Sequence, residues 1–335
     1  MRHARTPGRE SGSVRLAVAI TVLAALAWLV RPRFHSAPEH SHVARIPIVV
    51  SGAGYPLRIR QLGGAEIELA ASPRRIVPTS ASTVDFLIEL VPLERIAAVP
   101  ASAYGYSVLA RDPDTAPELP ILAAFEAEPV LAHEPDLVLA DMWQSPSTVA
   151  FLEDSGVAVV RLPTIEDFAS LAATTRFLAR LLDVEQAGEA LVASLERRRA
   201  VLAETPRSSI RVLPYGNYGS GGSTSGSGTT WDLMIRLAGM RNAAAEAGIA
   251  GNAPIDFEQI LAIDPDVFLV GALDVAREAS TTAALLADEP TLADLTALRE
   301  GRVVILPSWL YSTSSHHVVT AAEELAAKVD AMTGL

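Results

Sequence analysis

Ser312-Thr313-Ser314-Ser315 runs directly into His316-His317. Hydroxyls beside imidazoles are the raw material of a Ser/His hydrolase, and paired imidazoles are that of a metal site. Successive helix positions diverge by about 100°, so the two histidines chelate one ion poorly. The Gly-x-Ser-x-Gly elbow is absent from this loop. Its nearest approach, Gly221-Gly222-Ser223-Thr224-Ser225, lacks the closing glycine. That glycine-rich tract, Gly216 to Gly228, leads from an expected strand into a helix capped by Thr229-x-x-Asp232, as a phosphate loop would. No Gly-Lys-Ser/Thr follows, and the single lysine of the chain is Lys328. The tract reads instead as a mobile lip of a cleft. A hydrolase remains the weaker alternative; a serine-reactive probe labelling Ser220, Ser223 or Ser227 would support it.

Binding chemistry is better represented. Five segments follow expected strands: 78–83, 100–111, 141–147, 214–230 and 307–317. Trp143, Trp231 and Trp309, with Tyr104, Tyr106, Tyr215, Tyr218 and Tyr311, fall in or beside them; Trp28 and Tyr55 lie elsewhere. Aromatics serving only as core would scatter through strands and helices. Gathered in loops, they predict a surface for a bulky, partly apolar ligand. Ser80 and His316 can add hydrogen bonds, while Ser82 and Ser145 read as helix caps. Arg111 is the chief cation of these loops, which favours a neutral or weakly charged ligand.

The elements that must carry these loops are announced by a repeat. Glu128-Pro-Val-Leu-Ala-His-Glu-Pro-Asp-Leu-Val-Leu aligns without a gap on Glu258-Gln-Ile-Leu-Ala-Ile-Asp-Pro-Asp-Val-Phe-Leu, offset by 130 positions. Each reads as a helix end, a Pro-Asp turn and a buried strand. Arg75-Ile-Val-Pro78 pairs with Arg211-Val-Leu-Pro214, and the strand 156–163 pairs with 301–307. The fold class expected is α/β: two similar lobes, each a parallel sheet with helices on its faces, with a ligand cleft between them. The lobes are expected at 46–163, opening with a hairpin turned at Gly63-Gly64, and at 205–335. Linking helices are expected at 164–204, with the likeliest break at Asp183. The strand at Ile96 lacks a clear counterpart beyond Arg241 to Ala243. Ser82-x-x-Asp85 reads as a variant capping box.

Four arginines, Arg2, Arg5, Arg9 and Arg15, precede an apolar run from Leu16 to Val30, the pattern of an export signal or N-terminal anchor spanning 1–33. A polar tether, 34–45, follows. The formal charge is −12, yet residues 1–33 hold six Arg and one Glu. The remaining body is therefore strongly acidic, which argues against nucleic acid as a partner. With no cysteine, disulfides, thiolate metal sites and a lipid-modified N-terminal cysteine are excluded.

The order of several motifs resembles the Fe/B12-type periplasmic binding proteins, the substrate-binding components of ABC importers for ferric siderophores, haem and cobalamin. In the first half they are Ser72-Pro-Arg-Arg-Ile-Val-Pro, Glu94-Arg-Ile-Ala-Ala-Val and the Glu128 segment. In the second they are Gly228-Thr-Thr-Trp-Asp-Leu-Met-Ile-Arg-Leu-Ala-Gly, Asn242-Ala-Ala and the Phe257 segment. The likeness runs from about Ile67 to the C-terminus. It implies two lobes bridged by a long helix, no enzymatic activity, no cofactor, and one surface glutamate per lobe docking on the permease. Glu128 and Glu258 stand at those places. Of the tryptophans expected in cobalamin-binding members only Trp143 is matched; Leu122 and Asn252 occupy the other positions. The resemblance thus predicts a periplasmic monomer that captures a metal chelate: a ferric siderophore first, haem or cobalamin next; the apolar run at 16–30 is expected either to be cleaved or to stay as a membrane tether. The rival in another class is a membrane-tethered ligand sensor on the same fold.

Overall fold

The computed structural model describes residues 48–51, 54–61, 64–217, 221–272 and 280–334. The expected export segment, the tether, Gly63 and Tyr218 lie outside the described residues. Ile48–Ser51 (β1), Leu57–Arg60 (β2) and Glu66–Leu69 (β3) form an antiparallel sheet in that order. Along β2, Leu57 and Ile59 point inward, while Arg58 and Arg60 point out and pair with Glu68 and Glu66 of β3. That is the period-two alternation of a sheet wetted on one face.

Strand and helix then alternate: β4 (Ile76–Pro78), α1 (Ala81–Leu90), β5 (Val99–Pro100), α2 (Ala103–Tyr106), β6 (Ile121–Leu122), α3 (Ala127–Leu131), β7 (Leu137–Asp141), α4 (Pro146–Asp154) and β8 (Ala158–Leu162). β4, β7 and β8 are parallel in that order, with β5 and β6 paired beside them. Leu137 and Leu139 pack with Phe86 and Leu87 in one apolar cluster; Val138 and Ala140 pack with Val149 and Leu152 in another. The sheet is therefore buried on both faces, as parallel sheets are. Ser145 and Pro146 open α4 as expected. The start of α1 differs: Ser80 is the cap, reciprocated by Thr83. Ser82 and Asp85 are thereby released to face the other half of the chain.

Two helices follow, α5 (Phe168–Leu181) and α6 (Glu185–Leu202), broken at Asp183, which takes a left-handed φ of 60°. The long helix implied by the resemblance is thus a helical hairpin. Gly188 makes the pairing possible, because a Cβ there would collide with that of Ala179.

The second half comprises β9 (Arg211–Asn217), β10 (Gly222–Ser225), α7 (Thr230–Leu237), β11 (Arg241–Asn242), α8 (Ala243–Glu246), β12 (Asn252–Pro254), α9 (Phe257–Ile263), β13 (Val267–Ala272), α10 (Thr281–Asp288), α11 (Thr296–Arg299), β14 (Val303–Pro307), α12 (Ser308–Tyr311) and α13 (Val318–Thr333). Its sheet runs β12-β10-β9-β13-β14, with β11 also on β9. β9, β13 and β14 repeat the parallel order of β4, β7 and β8. The counterpart of the Ile96 strand lies in the stretch from Arg241 to Ala243 that the sequence offered: β11 pairs with β9 as Ile96 bridges to Ile76 of β4.

The duplication extends to single hydrogen bonds. Glu134 and Asp264 both turn the chain with φ near 45° (47° and 45°). Asp136 accepts from the Arg74 and Arg75 amides, and Asp266 from that of Arg211. Arg75 Nε donates to Glu134 O at 2.9 Å, and Arg211 Nη1 to Asp264 O at 2.8 Å. A left-handed non-glycine costs roughly 1 kcal/mol or more. In both halves an arginine and an aspartate clasp the turn and offset that cost.

Candidate functional site

A hollow of about 480 Å³, counting its open mouth, lies at the carboxyl ends of β7 and β8. This is where parallel sheets place ligands. Ser82, Thr83 and Phe86 of α1 form one wall, and Asp141 to Trp143 continue from β7. Leu162 to Ile165 continue from β8, Thr174 comes from α5, and Ser314 closes the hollow from the second half. Thr79 Oγ1, Asp141 Oδ2 and Thr174 Oγ1 are buried without hydrogen-bond partners. Burial pushes the Asp141 carboxyl up to about 6, against a hydrogen bond with Ser80 that pulls it down.

Beside the hollow the two halves are joined by a polar seam built from the segment after β14. Ser308 Oγ donates to Gly105 O (2.5 Å), the Ser314 amide to Ser82 Oγ (3.1 Å), and Ser315 Oγ to Asp85 (2.7 Å). Asp85 also accepts from the Val108 amide at 2.7 Å, and burial pushes it up to about 7 despite both bonds.

The expected site residues separate into three groups. Trp143 is 73 % exposed at the rim of the hollow, with Ser80, the cap of α1, near Asp141 behind it. Tyr106 and Arg111 are exposed on the first half, Arg111 paired with Asp112. The remaining described aromatics are packed. Tyr104 fastens the following loop through Pro117 O and the Leu119 amide. Tyr215 is 0 % exposed, edge-on to Phe268 in the second sheet's core. Tyr311 donates to Tyr215 O and lies edge-on to the half-buried Trp231, while Trp309 lies edge-on to His317. His316 is buried against Phe86, and neither ring nitrogen has a hydrogen-bond partner. Burial holds it well below the ordinary histidine range and brings His317 down to about 4; Arg198 contributes to both. Ser315 thus donates to a carboxylate rather than to an imidazole. Among the described residues no group of three or more His, Asp or Glu is placed to hold a metal ion.

The glycine tract departs from expectation. Gly222 begins β10, where a Cβ would press on Ile255 O and the Tyr215 ring, and a Cβ on Gly226 would collide with Ile249 O. These glycines permit strand packing, and Gly221 and Gly222 also border an open hollow with Pro254 to Phe257 and Gln259. Reasoning from sequence passed over Asp141, Thr174, Asp85 and Ser315 as site residues. The available signal was an aspartate ending the otherwise apolar strand Leu137-Val-Leu-Ala-Asp141. Glu128 and Glu258 are exposed in the first turns of α3 and α9, at equivalent points of the repeat.

Residues 76–310 match the family model described as periplasmic binding protein. The chain is 27 % identical over 252 residues to a cobalamin-binding protein of Halobacterium salinarum, covering 75 % of this chain and 68 % of that one. Among solved structures it is similar to the periplasmic heme-binding protein RhuT from Roseiflexus in apo form. There the TM-score is 0.66 at 26 % identity, over 77 % of this chain and 98 % of that one. A periplasmic heme-binding protein from Pseudomonas aeruginosa gives 0.63 at 26 % identity, over 78 % and 92 %.

Proposed function

The chain belongs to the periplasmic binding protein family, and on that premise we propose that it is the substrate-binding component of an ABC importer, capturing a metal chelate and delivering it to a membrane permease. The observation that carries this reading is the hollow at the ends of β7 and β8, closed by Ser314, with the Trp143 indole standing in water at its rim. An exposed indole beside an apolar wall suits a flat, bulky ligand. The named relatives bind cobalamin or haem. Their ligands support reading macrocyclic chelates ahead of the ferric siderophore expected from sequence.

In this reading residues 46–163 and 205–335 are the lobes, joined by the helices of 164–204. Trp143 and Ser80 contact the ligand, with Tyr106 and Arg111 at the approach. Glu128 and Glu258 meet the permease; their exposure at matched points of the two halves supports the role. The protein works as an exported monomer without a catalytic step, residues 16–30 serving as its tether. Among the described residues no helix is long and apolar enough to cross a membrane. The test is a titration of the purified protein with cyanocobalamin, haemin and a ferric siderophore, followed by absorption and tryptophan fluorescence. Saturable binding of one of them at micromolar concentration or below is expected. No saturable binding of any sinks the reading.

A further inference from the structure

His316 is 3 % exposed and sits where the second half meets the first. Its ring centroid lies 5.3 Å from that of Phe86 on α1 and 4.2 Å from that of His317. Both ring nitrogens are sealed from water and neither has a hydrogen-bond partner. A neutral imidazole carries one N–H donor and one acceptor, so either tautomer leaves both orphaned. A histidine retained only to fill a core would ordinarily satisfy at least one. Of the charges around the pair, the cations act on it directly and the acids are engaged elsewhere. Arg198 of α6 acts on both rings, and Arg111 on His317. On α13, Glu323 accepts from Arg198 Nε at 2.8 Å, and Thr320 accepts from the same guanidinium at 2.7 Å. On α1, Asp85 is taken by Ser315 Oγ and the Val108 amide, while Glu89 acts on Arg198. Trp309 of α12 offers His317 only a ring, edge-on.

We infer that His316 and His317 form an acid-operated latch: the closed seam cannot accommodate their protonation, so acidification parts the two halves beside Ser314 and opens the hollow. The inference concerns the fold and stands whichever cargo the cleft takes. An imidazolium at 316 would be a charge in an apolar pocket against Phe86, beside a second histidine and a guanidinium. Parting the halves gives both rings water. Two of the fasteners adjoin the pair: the Ser314 amide holds Ser82, and Ser315 Oγ holds Asp85. The core around Phe268 and the core around Val138 each lie within one half, so the seam can part with both sheets whole. While closed, His316 stays neutral well below the ordinary 6.5, and His317 stays neutral down to about 4. Opening returns both to the ordinary range, so below that pH each takes up a proton. Asp85 opposes them. It keeps its proton up to about 7 when closed and releases it on returning to 3.8. From about pH 6.5 to pH 4 the balance is one proton taken up on opening, and the open-to-closed ratio grows about ten-fold per pH unit.

The chain has no cysteine, so spin labels can be attached to the full chain through Asp154→Cys on α4 and Asp288→Cys on α10, both exposed and one in each half. Pulsed electron paramagnetic resonance then gives the distance between them from pH 8 to pH 4, with far-ultraviolet circular dichroism recorded alongside. A longer distance should appear below about pH 6 and gain on the shorter one about ten-fold per pH unit, at constant circular dichroism. The Ser314 amide should lose hydrogen-exchange protection over the same range. His316→Phe, apolar and of similar size, should flatten the dependence, and Asp85→Asn should steepen it toward a hundred-fold per unit. His316→Leu is the second apolar replacement: a packing defect would open either variant at every pH, whereas loss of the proton site closes both in acid. The inference is overturned by a single distance at every pH, by a dependence that survives both replacements, or by lengthening that comes only with loss of the circular-dichroism signal.

Discussion

Trp143, in the loop after β7, and Asp85, within α1, stand near one hollow and come to opposite uses. The Trp143 side chain makes little protein contact at 73 % exposure, so Trp143→Ala should leave the melting temperature within about 2 °C while weakening chelate binding by about ten-fold. Unaltered affinity in that variant would remove the indole from the site. Asp85 is the reverse case, at 1 % exposure in the seam. Its pKa rises from 3.8 to about 7 on folding, so the folded chain holds an extra proton between those values. Its contribution to stability is therefore greatest at the acid end of that window and is lost as pH rises to 7. His316 and His317 act in the opposite sense: burial lowers them, and their contribution grows as pH climbs toward 6.5. Comparing wild type with Asp85→Asn isolates the first effect. From pH 4 to pH 7 the variant should gain on the order of 2 kcal/mol relative to wild type in urea unfolding; parallel pH curves would refute the assignment. In sequence Trp143, Trp309 and Tyr311 carry the same signature, an aromatic just after a strand. What separates them is whether the loop meets water or the other half of the chain, a tertiary fact that loop composition does not encode.

Among the elements, the alternation of strands and helices was legible because apolar strands and Pro-Asp turns are local signals. The Asp183 break was legible for the same reason. The fold-back of α5 on α6 was not, since the deciding feature is the missing Cβ of Gly188 against Ala179, a contact across the hairpin. Gly188→Val should force these helices apart and cost about 1–3 kcal/mol, read as a lowered urea midpoint. Gly226 is a similar case. With a flexible-loop role, Gly226→Ala would be tolerated; packed against Ile249 O it should destabilise the β10 edge by a comparable amount. The short strand β11 was legible only as the stretch from Arg241 to Ala243, because two residues give no periodicity to read; its pairing to β9 is what defines it.

At the scale of the whole molecule, the offset of 130 positions survives as matched turns, matched arginine clasps and matched exposure of Glu128 and Glu258. If those two acids meet a permease, Glu128→Arg with Glu258→Arg should abolish chelate-dependent uptake while leaving affinity for the free chelate within about two-fold, because neither lines the hollow. Uptake that persists would assign them to solvent. The seam carries a different lesson. Ser314 both lines the pocket and, through its main-chain N–H donating to Ser82 Oγ, fastens the two halves. The grip is therefore indifferent to which side chain stands at 314, and only proline, which lacks the N–H, would release it. A lineage could recut this wall for a different cargo without surrendering its hold.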